Sequence, residues 1–401
     1  MKIRIYSPFL PFPVTEGAYR VIFDQAVSLM SLQHEVELVT WKDSQSSFQS
    51  KLHQWSQHGS LPLIRRLEFK EQNARWVRVI SSFFSDAASP ELFYYPKLQS
   101  HSLEDLGSCD LAIYHYSFAE HWLKRPHLLP QEKKRVVHFH NLESELFELR
   151  AQDAPRFVKG IHLRNADRLR NHEDHLVNLV DALWFLSPLD EKKWRSRQKA
   201  GLSDLTAEIK LIPPTYTSEI AKWTPWAPEM VDPRSKQVNL GFVGGMTFRP
   251  NQDSVRWILD KLVPELKKRG FQGRVFILGR GAHTYLQGQS LPPWIEVLPE
   301  HTEMKEFLAP LSWMLVPHVS GSGVRIKLLD ALAQKIPVLA TPEAVERLHP
   351  EIQESPFIFS SLSAEAWAHR ICSESPFQSR IRLQDLSFPE AMRGDRVYQN
   401  V

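Results

Sequence analysis

Asn239-Leu-Gly-Phe-Val243-Gly244-Gly245-Met-Thr-Phe-Arg249-Pro250-Asn251 is a β-rich run that breaks at a glycine pair and leads into a helical period from about Asn251 to Lys268. The pattern is the one with which the chain begins. Lys2–Tyr6 alternates as a short strand, and a proline-rich loop (Pro8, Pro11, Pro13) ends at Glu16-Gly17. Arg20 to Leu32 then places Val21, Ile22, Ala26, Leu29 and Met30 on one helix face, and Glu35–Thr40 is a second β-rich run. Strand, helix and strand in forty residues make a βαβ unit and hence a parallel sheet.

Between these two starts the rhythm continues. Strands are predicted at Leu111–His115, Arg135–His140 and Ala182–Leu186, and helices over Glu143–Ala151, Arg164–Val180 and Leu189–Arg197, with the character of the chain changing after Ile209–Pro213. After Asn239, strands follow at Arg274–Leu278, Ile295–Leu298, Trp313–Val316 and Pro337–Ala340. Two α/β series, each beginning afresh, predict twin doubly wound domains facing across a cleft, against the alternative of one long α/β domain with a large insertion. The expected boundaries are 1–213 for the first domain, 214–237 for a connection without clean period, and 238–401 for the second. The region from Trp41 to Ser108 reads as insertions rather than regular repeats.

Composition narrows the class. The 401 residues are 42% hydrophobic and 24% charged, with a formal charge of +3. That supplies apolar material for two cores and gives no concentrated basic patch to suggest nucleic acid. Two distant cysteines, Cys109 and Cys372, fit a reducing compartment and exclude a disulfide framework or a cysteine-based zinc site. The best apolar run, Val177 to Leu186, is broken by Asn178 and Asp181, so no membrane span is expected. A cytoplasmic protein, in solution or at the inner membrane face, is the expectation.

Pro317-His-Val-Ser320-Gly321-Ser322-Gly323-Val-Arg325-Ile-Lys327-Leu-Leu-Asp330 carries the strongest chemical signal. Small residues between a strand and a helix let backbone N–H groups point at an anion, aided by the helix dipole. Arg325 and Lys327 are expected in the first helical turn, where cations oppose that dipole, and an anionic ligand explains them. The alternative is a plain glycine turn beside solvated basic side chains. Asp330, two helical turns beyond Gly323, could accept from ribose hydroxyls or be an ordinary polar helix residue. Gly17, at the end of the proline-rich loop, is a second place for backbone to approach phosphate, or a simple helix start. His138 and His140 share one strand face at its carboxyl end, where open α/β sheets bind ligands; His138 also suits the core. No third ligand at convincing spacing makes this pair a metal site. No Asp-x-Asp pair, nucleophile elbow or Walker loop occurs, and the Gly321 loop lacks the third glycine of a dinucleotide fingerprint.

These residues resemble the GT-B glycosyltransferases, specifically the large retaining family 4 group. The Gly241–Asn251 segment is similar to that family's strand and turn opening the donor domain. Ser320–Ala333 resembles its donor-binding loop and helix, and Pro337–Pro342 the following strand. Pro11–Gly17 resembles the glycine loop near the donor phosphates, and His138–Glu143 the segment whose histidine contacts the transferred sugar. Two glutamates eight positions apart, frequent in the family, are here Ser322 and Asp330, and one glycine stands where two are frequent.

The resemblance implies two Rossmann-like doubly wound domains across a central cleft, with a C-terminal segment returning to the first domain. It also implies sugar transfer from a nucleotide diphosphate sugar, UDP- or GDP-linked, to an acceptor hydroxyl with retention, without a metal or a permanently bound cofactor. Arg325, Lys327 and the Gly321–Gly323 amides would steady the departing diphosphate, with Gly17, Gly244, Gly245 and Ser322 lining the donor. His140 would orient the sugar and Asp330 hold ribose. The acceptor would be a glycan or lipid-linked precursor. A non-catalytic nucleotide-sugar binder and a nucleotide-sugar epimerase are the alternatives. Trp55, Arg65, Arg66, Arg75, Trp76 and Arg78 form a basic and aromatic mix suited to a membrane surface or an anionic glycan, or to a solvated face with buried indoles.

Overall fold

The computed structural model describes residues 1–14, 17–57, 60–69, 94–98, 103–152, 154–198, 206–216, 237–302, 304–373 and 392–399. The chain divides into two compact units. The first comprises Met1–Thr215, Ser322–Val324 and Gly394–Val401; the second comprises Tyr216–Gly321 and Arg325–Arg393. Most of the expected connection, residues 217–236, lies outside the described residues, as do residues 374–391.

In the first unit a seven-stranded parallel sheet is built from β1 (Lys2–Tyr6), β2 (Glu35–Thr40), β3 (Leu63–Arg66), β4 (Cys109–His115), β5 (Glu132–Phe139), β6 (Ala182–Phe185) and β7 (Glu208–Leu211). Its order is β3-β2-β1-β4-β5-β6-β7, so the winding reverses between β1 and β4. Both faces of β1 are covered. Ile3, Arg4, Ile5 and Tyr6 are all fully buried. Arg4 survives there because its Nε donates to Glu37 Oε2 at 2.7 Å, and Arg65 Nε reaches Glu37 Oε1 at 2.5 Å. A buried charge is tolerable when it is paired in this way.

Around this sheet lie α1 (Gly17–Ser31), α2 (Gln45–Ser56), α3 (Glu143–Gln152), α4 (Arg156–His175) and α5 (Pro188–Arg197). Helix α1 buries Val21, Ile22, Ala26 and Leu29, the face its sequence period marks.

The stretch after Trp41 departs from expectation, because α2 and β3 continue the regular alternation rather than forming an insertion. Trp55 is buried in the angle between α1 and α2, its ring 5.1 Å from Phe23 and 5.8 Å from Phe12. Arg66 donates to the Asp43 carbonyl and pairs with Glu68. Trp55 and Arg66 therefore serve the fold, while Arg65 pairs with Glu37 and stays partly exposed; Arg75, Trp76 and Arg78 lie outside the described residues.

In the second unit the sheet has six parallel strands in the order β10-β9-β8-β11-β12-β13. They are β8 (Val238–Val243), β9 (Gly273–Leu278), β10 (Ile295–Val297), β11 (Trp313–Val316), β12 (Val338–Ala340) and β13 (Ile358–Ser360). Here the winding reverses between β8 and β11, the counterpart of β1 and β4. The helix expected from Asn251 to Lys268 is instead α6 (Arg249–Trp257), a π-helical turn over Ile258–Leu262, and α7 (Val263–Lys268). Pro264 lacks the N–H that would bond the Asp260 carbonyl, and a widened turn absorbs the loss. Helices α8 (Ile326–Ala333) and α9 (Ala364–Ser373) complete the layers, with Trp367 of α9 buried 4.7 Å from the Trp257 ring.

The last described element, α10 (Gly394–Val397), packs on α1 within the first unit. The approach is so close that a Cβ on Gly394 would stand 1.9 Å from Ser28 Oγ. Just beyond, Gln25 Nε2 donates to the Tyr398 hydroxyl at 3.2 Å. Among the described residues no helix is long and apolar enough to cross a membrane.

Candidate functional site

Two clusters stand at carboxyl ends of central strands, one in each unit, where doubly wound sheets bind ligands. In the second unit the chain leaves β8 through Gly244-Gly245 and leaves β9 through Gly279. These turns touch backbone to backbone: a Cβ on Gly279, at φ +152°, would lie 2.1 Å from the Gly244 carbonyl oxygen. Gly244 is equally constrained, since a Cβ there would fall 2.6 Å from the Asn251 side chain.

Asn251, in the first turn of α6, joins the parts of this cluster. Its Nδ2 donates to the Gly245 carbonyl at 2.9 Å. Its Oδ1 accepts from Lys327 Nζ at 2.8 Å and stands 3.1 Å from His318 Nε2. Lys327 Nζ also sits 4.6 Å from the centre of the Phe242 ring, a cation–π contact. Below it, His318 is buried, held through its carbonyl by the Thr341 hydroxyl, and its Nδ1 finds no partner among the described residues.

Arg325 is placed differently from the expectation. It is the residue before α8 (φ −85°, ψ 85°), and only Lys327 is in the first turn. Its Nη2 donates to the Ser320 carbonyl at 2.8 Å, folding the guanidinium against Gly321. Gly321 has φ +104°, and a Cβ there would come within 2.9 Å of that nitrogen. Burial, and then the neighbouring Arg325 charge, hold the Lys327 ammonium well below its usual range, while Asp330 pulls the other way. Burial, Lys327 and Arg325 likewise push the His318 imidazole down. Arg325, a Lys327 whose charge burial disfavours and a neutral imidazole at a helix N-terminus form a set whose positive charge an anion would stabilise. Asp330 accepts from the Tyr216 hydroxyl at 2.7 Å, a partner 114 residues away.

The first unit presents uncharged groups at the ends of β4 and β5. His115 pairs with His138 across the two strands, which sets His140 beyond the strand end. His115 Nδ1 and His140 Nε2 are 2.8 Å apart, and the Tyr116 ring stacks on His140 at 4.3 Å and 23°. Tyr116 has φ +74°, an uncommon value for a side chain of its size and a mark of a position held by its surroundings. His138 accepts at Nδ1 from Gln25 at 3.2 Å, with Nε2 3.4 Å from the Ile212 carbonyl.

Burial keeps all three imidazoles neutral, His138 down to about 4 and the other two well below the usual value. Glu143 follows the same rule in the other direction: burial, and then the Glu173 charge, push its carboxyl up to about 8, while Asn141 Nδ2 donates to its Oε1 at 2.5 Å.

The chain has the GT-B fold. Residues 237–373 match the family model described as Glycosyl transferases group 1. Solved structures agree over the whole length. One is described as trehalose-6-phosphate from E. coli bound with UDP-2-fluoro glucose (TM-score 0.60, 14% identity, 100% of this chain and 96% of that one). Another is WaaG, a glycosyltransferase involved in lipopolysaccharide biosynthesis (TM-score 0.56, 12% identity, 98% and 97%). A third is a glycosyltransferase from Rickettsia africae ESF-5 (TM-score 0.55, 10% identity, 99% and 96%). Among curated proteins none matches the sequence.

Of the residues singled out from sequence, Gly244, Gly245 and Lys327 meet at Asn251, and Gly321 with Arg325 forms the adjoining turn. Asp330 stands with Tyr216. Gly17 is the first residue of α1, and Ser322 and Gly323 group with the first unit, as does His140. Among the described residues no three His, Cys, Asp or Glu side chains are arranged to hold a metal ion. His115, Tyr116, His318 and Tyr216 were not singled out as site residues. For His115 a signal existed: it ends a predicted strand as His140 ends the next.

Proposed function

We propose that this GT-B chain is a retaining glycosyltransferase that moves a sugar from a nucleotide diphosphate sugar to the hydroxyl of a glycan or lipid-linked acceptor. The observation that carries the reading is the Asn251 junction. One amide ties the glycine loop after β8 to Lys327 and His318, inside the segment that matches the group 1 glycosyltransferase model. A departing nucleoside diphosphate gains negative charge as the bond to the anomeric carbon breaks. Cations fixed in advance in a partly dry site stabilise that charge without reorganising.

Arg325 and Lys327, with the Gly321–Gly323 amides, take that role without a divalent ion, and Gly17 adds backbone N–H groups. His140 orients the sugar, and Asp330 holds ribose. The match to the glycosyltransferase model supports a transferase, and the UDP-sugar analogue in one structural relative supports a nucleotide-sugar donor, which we take to be UDP- or GDP-linked. Contact with the inner membrane face belongs to this reading through the lipid-linked acceptor.

The first test is a thermal-shift panel of UDP, GDP, ADP, dTDP and NAD, with and without chelator. A ligand at 100 times its Kd stabilises by about 2.7 kcal/mol, several degrees of midpoint for a domain of this size. A shift with one nucleoside diphosphate, unaffected by chelator, is expected. No shift with any of them would overturn the donor-site assignment. A chelator-sensitive shift would overturn metal independence.

A further inference from the structure

The hydrogen bond between His115 and His140 needs one donor and one acceptor, because both rings are neutral and buried. The remaining nitrogen of His115 decides which ring donates. His115 Nε2 is buried and finds no partner among the described residues. If His140 were the donor, His115 would accept at Nδ1 and carry its own proton on that orphan Nε2. If His115 is the donor, the orphan Nε2 is only a bare lone pair. A buried N–H without a partner is the rarer and costlier of the two, since a donor has one direction in which to be satisfied and loses all of it.

His138 does not blur the choice. It satisfies both its nitrogens with Gln25 and the Ile212 carbonyl. The Tyr116 ring covers a face of His140, not an edge, and leaves both ring nitrogens out of the contact.

We infer that His115 is a positioning residue: it donates from Nδ1 to His140 Nε2, and so fixes His140 as the Nδ1–H tautomer, a neutral hydrogen-bond donor to an oxygen of the substrate. His140 then cannot take a proton at Nε2, because that lone pair is occupied. Its part in the reaction is to hold a hydroxyl or ring oxygen by donation. The identity of that oxygen's owner, the transferred sugar, rests on the function proposed above. The tautomer does not.

Nitrogen-15 NMR of the full-length chain labelled at histidine tests the tautomer directly, with His140 identified by its disappearance in His140→Gln. The expected spectrum shows His140 protonated at Nδ1 and His115 bare at Nε2. His140 protonated at Nε2 would overturn the inference whether or not any transferase activity is found.

Two variants extend the test. His115→Leu should release His140 to a mixture of tautomers and lower kcat about 10- to 100-fold with KM within about twofold, as expected for loss of a preorganised donor. His115→Asn places an amide N–H near the lost Nδ1–H and should restore the Nδ1–H signature and most of kcat. An asparagine variant no better than leucine, or a leucine variant with unchanged tautomer, would contradict the assignment. Should His115→Leu fail to fold, the wild-type spectrum still decides.

Discussion

The two units have the same sheet plan and place opposite chemistry at the same place on it. At the ends of β4 and β5 the first unit gathers neutral imidazoles and a tyrosine face. At the ends of β8 and β11, and in the turn before α8, the second unit gathers Arg325, Lys327 and His318 around one amide. The difference follows from what each can recognise. Imidazoles that stay neutral can only donate or accept hydrogen bonds, which suits hydroxyls. Cations held partly out of water are ready for an anion and are costly without one. The neutral set is expected to act on the reaction, and the charged set on binding.

That division can be broken by exchanging which property each variant loses. Arg325→Ala with Lys327→Ala should weaken nucleoside diphosphate binding by roughly 10²–10⁴-fold, the loss of two charge-assisted hydrogen bonds at about 1.5–3 kcal/mol each. Titration calorimetry would read it, and an unchanged Kd would end the assignment of a binding role to the charged cluster. His140→Ala should do the reverse. Turnover should fall by about 10²–10³-fold, as for other preorganised donors, with the nucleotide Kd unchanged. If His140→Ala weakened nucleotide binding as much as turnover, the two clusters would not divide the work.

The sequence made the plan of the two sheets readable, and the reason is local. Strand and helix periods recur within each forty-residue unit, so two restarts at Lys2 and Asn239 are visible without tertiary information. The glycine turns and the Lys327 cation in the first turn of α8 were legible for the same reason, since both are properties of a few consecutive residues, whereas Arg325 precedes that turn. What could not be read depends on register and on distant partners. His115 meets His140 only because Ile113 and His115 pair with Val136 and His138. Tyr216 reaches Asp330 across 114 residues. Trp55 could be read either as part of a docking mix or as a buried indole, because composition carries no information about which side of a helix is covered.

Glu143 sharpens the comparison, because it extends the neutrality of the first unit to a carboxyl group. Folding pushes its carboxyl from the ordinary value of 4.5 up to about 8, with burial the main cause and Glu173 the second. Between these values the folded chain binds a proton that the unfolded chain does not. Its contribution to stability is therefore fully present below pH 4.5 and is lost as pH rises toward 8, at no more than about 1.4 kcal/mol per pH unit for one proton. Glu143→Gln cannot ionise and should remove this slope. The difference between wild type and variant in urea midpoints from pH 5 to 8 isolates it from the buried histidines, whose own contribution is lost in the opposite direction, below pH 6.5. Parallel pH profiles would mean that Glu143 is ionised in the folded chain, and the first cluster would not be uniformly neutral.

The smallest effect is expected at Asp330 of α8, whose carboxylate pairs with Tyr216. The Tyr216 hydroxyl holds one carboxylate oxygen at 2.7 Å, and this fixes the side chain for whatever the other oxygen accepts. If Asp330 takes a ribose hydroxyl, wild type should prefer a ribonucleoside diphosphate to its 2′-deoxy counterpart. Tyr216→Phe should shrink that preference, because a carboxylate free to rotate donates less of its acceptor strength to one geometry. One neutral-to-charged hydrogen bond bears on this indirectly, so a change of about 0.5–1.5 kcal/mol, roughly two- to twelvefold, is the scale. The shift should fall on the ribonucleotide alone. Equal weakening of both nucleotides would instead make Tyr216 a general support of α8, and a preference that survives unchanged would take Asp330 out of ribose recognition.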